Sequence, residues 1–414
     1  MPYPIAAYLR RVEEMRAHVE RLGLAEIEDA LANRLALVSA VLSLLRPELP
    51  RARHAAFTRE VAWYQAWAGF DERELVKDGD SSGLDWLLAT TAVDDPADVL
   101  GRAAAGEARI FCTAHVGSYR LLNAVLAGLG APFALVVDAR TVREQGGQFM
   151  RSFEEIAASR GLPMRQALLD AEAPSVGVQV LRLLRRGVSV VFYIDGNTGT
   201  GGMARRDDSM TRVRLFGRAL WVRRGVAYLA HAAGVPLVPV FNERTAADAR
   251  RLTVHRSLTP AADEDRERFA ARATQEVYDL LAGYLTRVPS QWEGWLYLHR
   301  FLDTAELRPA AAPDVAPPCL GDDDVLSVDG DRFALLRTRA ERLLLDRATL
   351  TARPLSASAR RLLDLAAEPV RVGAAAIDPG ARDLAARLVA GGVLRARQVA
   401  VTVALAALLA GVTL

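Results

Sequence analysis

His115 closes a short apolar run, Phe111-Cys112-Thr113-Ala114, and is followed at once by Val116-Gly117-Ser118-Tyr119-Arg120. The run has the length and composition of a buried strand, and a helical pattern resumes beyond the glycine. In α/β proteins ligands bind at the carboxyl ends of strands, so an imidazole placed there can take a proton from an attacking hydroxyl or amine. A carboxylate is the usual helper of such a base, because it fixes the tautomer and steadies the imidazolium that forms. Arg120 cannot serve, since a nearby cation opposes protonation of the ring. Three acids also follow apolar runs: Asp138 in VVDAR, Asp195 in VVFYIDG and Glu243 in VPVFNE. In a parallel sheet all three project at the edge that carries His115, and Asp195 is the candidate partner. Taken singly, each acid reads more simply as a helix cap or a turn residue. Histidine and acids on one edge are what favour chemistry.

Other chemistries find less support. The one GxSxG string, Gly79-Asp80-Ser81-Ser82-Gly83, follows no apolar strand run, so a serine-hydrolase elbow is not expected. The loop Gly196–Gly202 is rich in glycine but meets neither nucleotide-binding fingerprint, and it reads as a loop over the site. Beyond it Arg205, Arg206 and Arg212 are placed to meet an anionic substrate, although solvated surface charge is the simpler reading. The six histidines lack metal-ligand spacing, so no metal is expected. Two cysteines, Cys112 and Cys319, cannot make a disulfide framework, and Cys112 reads as a small core residue. A formal net charge of +2, from 52 basic and 50 acidic residues, gives no global pull towards nucleic acid, and no nucleic-acid partner is expected.

The elements that must position these residues are legible in outline. A chain of 414 residues, 51% apolar, has room for two or three domains. Residues 1–100 read as a helical region, with helices over Ile5–Leu22, Ala25–Leu45 and Arg51–Ala68 and a break at Pro47 and Pro50. Strands at Arg109–Thr113, Phe133–Val137, Val188–Ile194 and Pro236–Phe241 alternate with helices across residues 101–306. That alternation predicts an α/β fold with a mostly parallel sheet flanked by helices. A linker rich in proline and alanine spans 307–328, and a small winged-helix-like domain spans 329–397. In the latter, Arg332–Arg337 and Arg342–Asp346 read as a hairpin, with helices at Ser356–Leu365 and Ala381–Ala390. The apolar segment 398–414 is short for a membrane span and reads as a packed helix, a subunit contact or a membrane-dipping segment. The first residues lack the pattern of a signal peptide, so a cytoplasmic location is expected, with contact to the inner face of the membrane.

One further stretch, Val213 to Trp221, reads as an edge strand with a glycine turn, where Arg218 beside Gly217 is suited to grip a phosphate. The histidine motif, the Asp195-Gly196-Asn197 after a strand, the block LFGRALWVRRGVAYLAHAAGVPLVPVF and the late WEGWLYLHR (Trp292 to Arg300) together resemble the bacterial lipid A late acyltransferases. That family belongs to the lysophospholipid acyltransferase-like superfamily, and the resemblance covers residues 25–302. It implies transfer of a fatty acyl chain from acyl carrier protein or coenzyme A, as co-substrate and with no cofactor, to a hydroxyl or amine. The acceptor would be a lipid, a glycolipid or a peptide natural product. His115 would be the general base and Asp195 its support, with Arg120, Arg140, Phe216, Gly217 and Arg218 binding substrate. The family carries an acid five positions after the histidine, where this chain has Arg120. If Asp195 does not stand in for it, the alternative is a non-catalytic protein of the same fold that binds a peptide or lipid. The carboxyl-terminal module resembles the winged-helix peptide-recognition domain of pyrroloquinoline quinone biosynthesis, which implies a peptide partner added as a strand to a sheet edge.

Overall fold

The computed structural model describes residues 4–21, 29–75, 82–196, 207–307, 316–338, 341–373 and 379–398. Contacts divide them into two compact units, one within Met1–Glu26 and Leu44–Asp303, the other within Ile27–Ser43 and Thr304–Leu414. Four helices come first: α1 (Ile5–Arg21), α2 (Asp29–Leu45), α3 (His54–Leu75) and α4 (Ser82–Ala89). They are followed by β1 (Thr91–Asp94), α5 (Val99–Ala104), β2 (Ile110–Thr113), α6 (Leu121–Gly128), β3 (Phe133–Val137), α7 (Ala139–Ser159), β4 (Gln166–Asp170), α8 (Val176–Leu184) and β5 (Ser189–Tyr193). A hairpin of β6 (Met210–Leu215) and β7 (Arg218–Arg223) leads through α9 (Gly225–Ala233) to β8 (Leu237–Arg244), β9 (Arg250–Val254) and α10 (Arg266–Arg287).

The first unit is built on a seven-stranded sheet of order β1-β9-β8-β2-β5-β3-β4. The five strands from β8 to β4 are parallel; β9 runs antiparallel to β8, and β1 pairs parallel with β9. The central strands are the predicted ones, because they are buried on both faces and read as continuous apolar runs. Strands β1, β4 and β9 were not expected. β1 is largely exposed and β9 opens on two arginines, so neither shows a buried strand's composition. The core of this unit gathers Phe111, Phe133, Leu135, Val191 and Val238 from the sheet against α1 and α3–α7. Thus α1, α3 and α4 of the expected helical region pack into the sheet unit, while Ile27–Ser43 belongs to the second.

The second unit contains β10 (Asp324–Val328), β11 (Phe333–Arg337), β12 (Arg342–Asp346), β13 (Thr351–Pro354), α11 (Ala357–Leu365), β14 (Val370–Arg371), α12 (Pro379–Ala390) and β15 (Leu394–Gln398). The predicted hairpin is β11 and β12, extended by β13 into a three-stranded antiparallel sheet. One side of that sheet meets Ala36, Leu37 and Ala40 of α2, where the Asn33 amide bonds both the N–H and the C=O of Arg337. Strand β10 falls within the stretch expected to be linker; its Val325, Leu326 and Val328 pair with β14 and β15 instead. The remainder of the Pro/Ala stretch at 308–315, the loop residues 197–206 with Arg205 and Arg206, and the tail 399–414 lie outside the described residues. Among the described residues no helix is long and apolar enough to cross a membrane.

Candidate active site

Strand register brings His115 and Asp195 together. Strands β2 and β5 are parallel neighbours, and Thr113 is the partner of Tyr193 at their carboxyl ends. His115 and Asp195 each follow two residues later, so they leave the sheet side by side at a spacing of about 5 Å. The His115 backbone N–H donates to Asp195 Oδ2 (2.9 Å), and the ring Nδ1 lies 2.8 Å from Asp195 Oδ1. With an ionised carboxylate facing it, Nδ1 carries the proton and Nε2 is left as the basic nitrogen. The indole N–H of Trp292 donates to Asp195 Oδ2 (2.7 Å), which completes a carboxylate that is almost wholly buried and held by three donors. Two tyrosines fix the plane of the imidazole. Tyr193 packs across it at 4.6 Å between ring centres, and Tyr119 meets it edge-on at 4.7 Å.

The turn after His115 is anchored from several directions. Glu293 N–H donates to the His115 carbonyl (3.0 Å), and Gly117 N–H donates to that of Gln291 (3.0 Å). Asn242 donates to the Ser118 carbonyl (2.8 Å). The Ser118 hydroxyl donates to Asp71 Oδ2 (3.3 Å), a buried carboxylate that also accepts from Tyr8 (2.6 Å) and from Arg244. Helices α1 and α3 are thereby tied to the histidine turn. Gly117 has φ +60°, and a Cβ there would stand 2.9 Å from Asn242 Oδ1 and 3.1 Å from the Glu243 backbone. Gly117→Ala therefore meets left-handed strain and an unyielding neighbour together. It is expected to cost about 2 kcal/mol or more, read as a lower denaturant midpoint at unchanged m-value.

Charge follows this geometry. Burial alone would depress the basicity of the His115 ring, but the charge and hydrogen bond of Asp195, with Glu293 and Asp138 farther off, outweigh it and raise the pKa to about 9. Burial likewise works to raise the pKa of Asp195, yet the His115 ring and the N–H donors around it hold the carboxyl below its ordinary value. The unfolded ring titrates near ~6.5. The pairing therefore stabilises the fold below that pH, and its contribution fades as pH climbs through about 9. NMR titration of the His115 ring is expected to show a midpoint near 9. A midpoint at or below an ordinary histidine's would mean that the carboxylate is not acting on the ring.

His115 opens on a cavity of about 280 Å³, whose wall includes Tyr119, Arg120, Asn123, Asp138, Tyr193 and Arg223. Of the predicted binding residues, only Arg120 belongs to it. Its guanidinium lies 4.7 Å over the Phe149 ring and donates to Gln145 Oε1 (2.9 Å), and burial lowers its pKa. Arg140 is 76% exposed on α7 and pairs with Glu144, so it is a surface residue. Phe216 and Gly217 form the turn of the β6–β7 hairpin, both at positive φ. The opposite end of that hairpin, at Ser209 and Arg223, is what reaches the cavity. Six-residue strands separate the two ends by about 17–20 Å. The turn packs elsewhere: Phe216 stacks on Trp295, and Arg218 donates to the Leu44 carbonyl (3.3 Å).

The remaining candidates have structural roles. Asp138 caps α7 through the Thr141 N–H (2.9 Å) while also facing the cavity. Glu243 is buried between Arg251 (3.6 Å) and Arg287 (3.5 Å), away from the cavity wall. Arg212 pairs with Asp303 at 3.1 Å. Among the described residues no cluster of histidine, cysteine or acids could hold a metal ion. Sequence reasoning missed Trp292, Asp71, Asn242 and the two tyrosines. Only the Trp292 block carried a signal, and it gave no hint of a bond to Asp195.

No family model matches the chain, and no curated protein does. Among solved structures, a similar chain is the 1-acyl-sn-glycerophosphate (LPA) acyltransferase PlsC from Thermotoga maritima, at 13% sequence identity and a TM-score of 0.31, over 64% of this chain and 99% of that one.

Proposed function

We propose that the first unit transfers an acyl group from a thioester, borne by acyl carrier protein or coenzyme A, to a hydroxyl or amine. The observation that carries this reading is the His115–Asp195 pair, whose Nδ1 bond to the carboxylate reserves Nε2 for proton transfer at the cavity. Nε2 takes the proton of the acceptor O–H or N–H as its oxygen or nitrogen attacks the thioester carbonyl. A new C–O or C–N bond forms. The C–S bond then breaks, and the departing thiolate takes the proton from the imidazolium. Asp195 stays ionised and steadies the charged ring throughout. No acyl-enzyme intermediate is required.

The acceptor is a nucleophile on a lipid, a glycolipid or a peptide. A peptide acceptor fits the second unit, where β13 forms an edge of its sheet and is exposed along its whole length. Such an edge can take an added strand. The inner face of the membrane is the location that would suit a lipid acceptor. The test is to incubate the protein with acyl-coenzyme A and acyl carrier protein thioesters and a panel of amines and alcohols. Free thiol and product mass are followed together. Thiol release matched by acylated acceptor supports the reading; acyl groups that are bound but never transferred overturn it in favour of a binding protein.

A further inference from the structure

We propose that Arg120 is the wall that limits the length of acyl chain the cavity accepts; this rests on the acyl-transfer reading of the site. The cavity at His115 adjoins a second space of about 70 Å³, and the two share Arg120, Asn123 and Phe149 in their linings. The second space reaches into the main core, among Leu87, Leu121, Ala124, Phe153 and Ile156. Two of the three shared side chains are held in place by the fold: Asn123 bonds the Tyr193 hydroxyl (3.3 Å), and Phe149 packs beside Phe153 (6.3 Å). The third is the long side chain of Arg120, laid over the Phe149 ring with Gln145 at its tip.

With the thioester carbonyl at His115, Ser209 and Arg223 on the cavity wall suit the polar part of the donor, and Leu135, Phe149 and Arg120, the last two shared with the second space, suit the alkyl part. A methyl terminus arriving there meets a guanidinium. Passing it would strip a cation of its polar contacts and give it only hydrocarbon in return. The largely apolar space beyond, whose wall also carries Asp71, Ser118 and Ser152, is therefore closed to the wild-type ligand. Shortening the side chain joins the two spaces and admits additional methylenes, each of which can change discrimination about tenfold or more.

The test uses the full chain and two readouts. Saturated fatty acids, from butanoate to octadecanoate, compete with a fluorescent fatty acid for binding, and the matching acyl-coenzyme A series is assayed for transfer. Arg120→Ala is expected to move the optimum to longer chains by two carbons or more. Arg120→Met removes the charge but keeps most of the bulk and is expected to shift the optimum less than Arg120→Ala does, and adding Ala124→Phe to Arg120→Ala refills the space and restores the short optimum. If Arg120→Ala does not fold, Phe149→Ala opens the same partition and is judged alike. An unchanged optimum in the folded variant, a shift in Arg120→Met as large as in Arg120→Ala, or no fatty-acid binding at all overturns the proposal. A shifted binding optimum without any transfer leaves the wall in place and removes the transferase reading. Transfer with unchanged chain preference does the reverse.

Discussion

His115→Ala is expected to lower kcat/KM for acyl transfer about 10³-fold, the scale at which a general base contributes. The fold should survive the change. Asp195 would still accept from the backbone N–H of position 115 and from Trp292, so the buried carboxylate keeps two of its three donors. Circular dichroism and the thermal midpoint should therefore report a native protein while product formation disappears. Activity within tenfold of wild type in a folded variant would show that the ring is not the base, and the cavity would then be a place where acyl compounds rest.

Asp195→Asn should be nearly as damaging, for a reason that the hydrogen bonds make definite. Asp195 Oδ2 accepts from two N–H donors, the His115 backbone and Trp292. The amide oxygen must occupy that position, which turns the amide NH₂ towards Nδ1. An N–H cannot face a protonated Nδ1, so the imidazole proton moves to Nε2 and the basic nitrogen is hidden. A wrong tautomer of this kind costs on the order of 10³–10⁴ in kcat. The pH dependence should move as well. Rates in the wild type should rise towards the ring's pKa of about 9, because only the neutral ring can take a proton. Without the carboxylate, burial is left to dominate, and the rising limb should shift to lower pH. A variant with full activity, or one with reduced activity and an unmoved limb, would refute the assigned roles.

Much of the sheet was legible because β2, β3, β5 and β8 are buried on both faces and so appear as unbroken apolar runs. The pairing of His115 with Asp195 was legible for a related reason: both follow such runs directly, and parallel strands present their ends together. Strands β1 and β9 were hidden, since one is largely exposed and the other opens on charged residues. Phe216, Gly217 and Arg218 misled because a glycine turn next to an arginine looks alike at either end of a hairpin, and only the pairing of β6 with β7 shows which end faces the cavity. Asp71 gave no local sign of its bond to Ser118, since the two are 47 residues apart and meet only through packing of α3 on the histidine turn.

Trp292 lies 97 residues beyond Asp195, and Asp195 lies 80 beyond His115. During synthesis the ring and its carboxylate thus emerge from the ribosome well before the indole that secures them, an interval of about 5–20 s at ordinary elongation rates. A nascent chain halted before that tryptophan would own both reactive groups yet lack their final fastening. The bonded set of His115, Asp195 and Trp292 is thus complete only late in translation, when nearly the whole sheet unit has already been made.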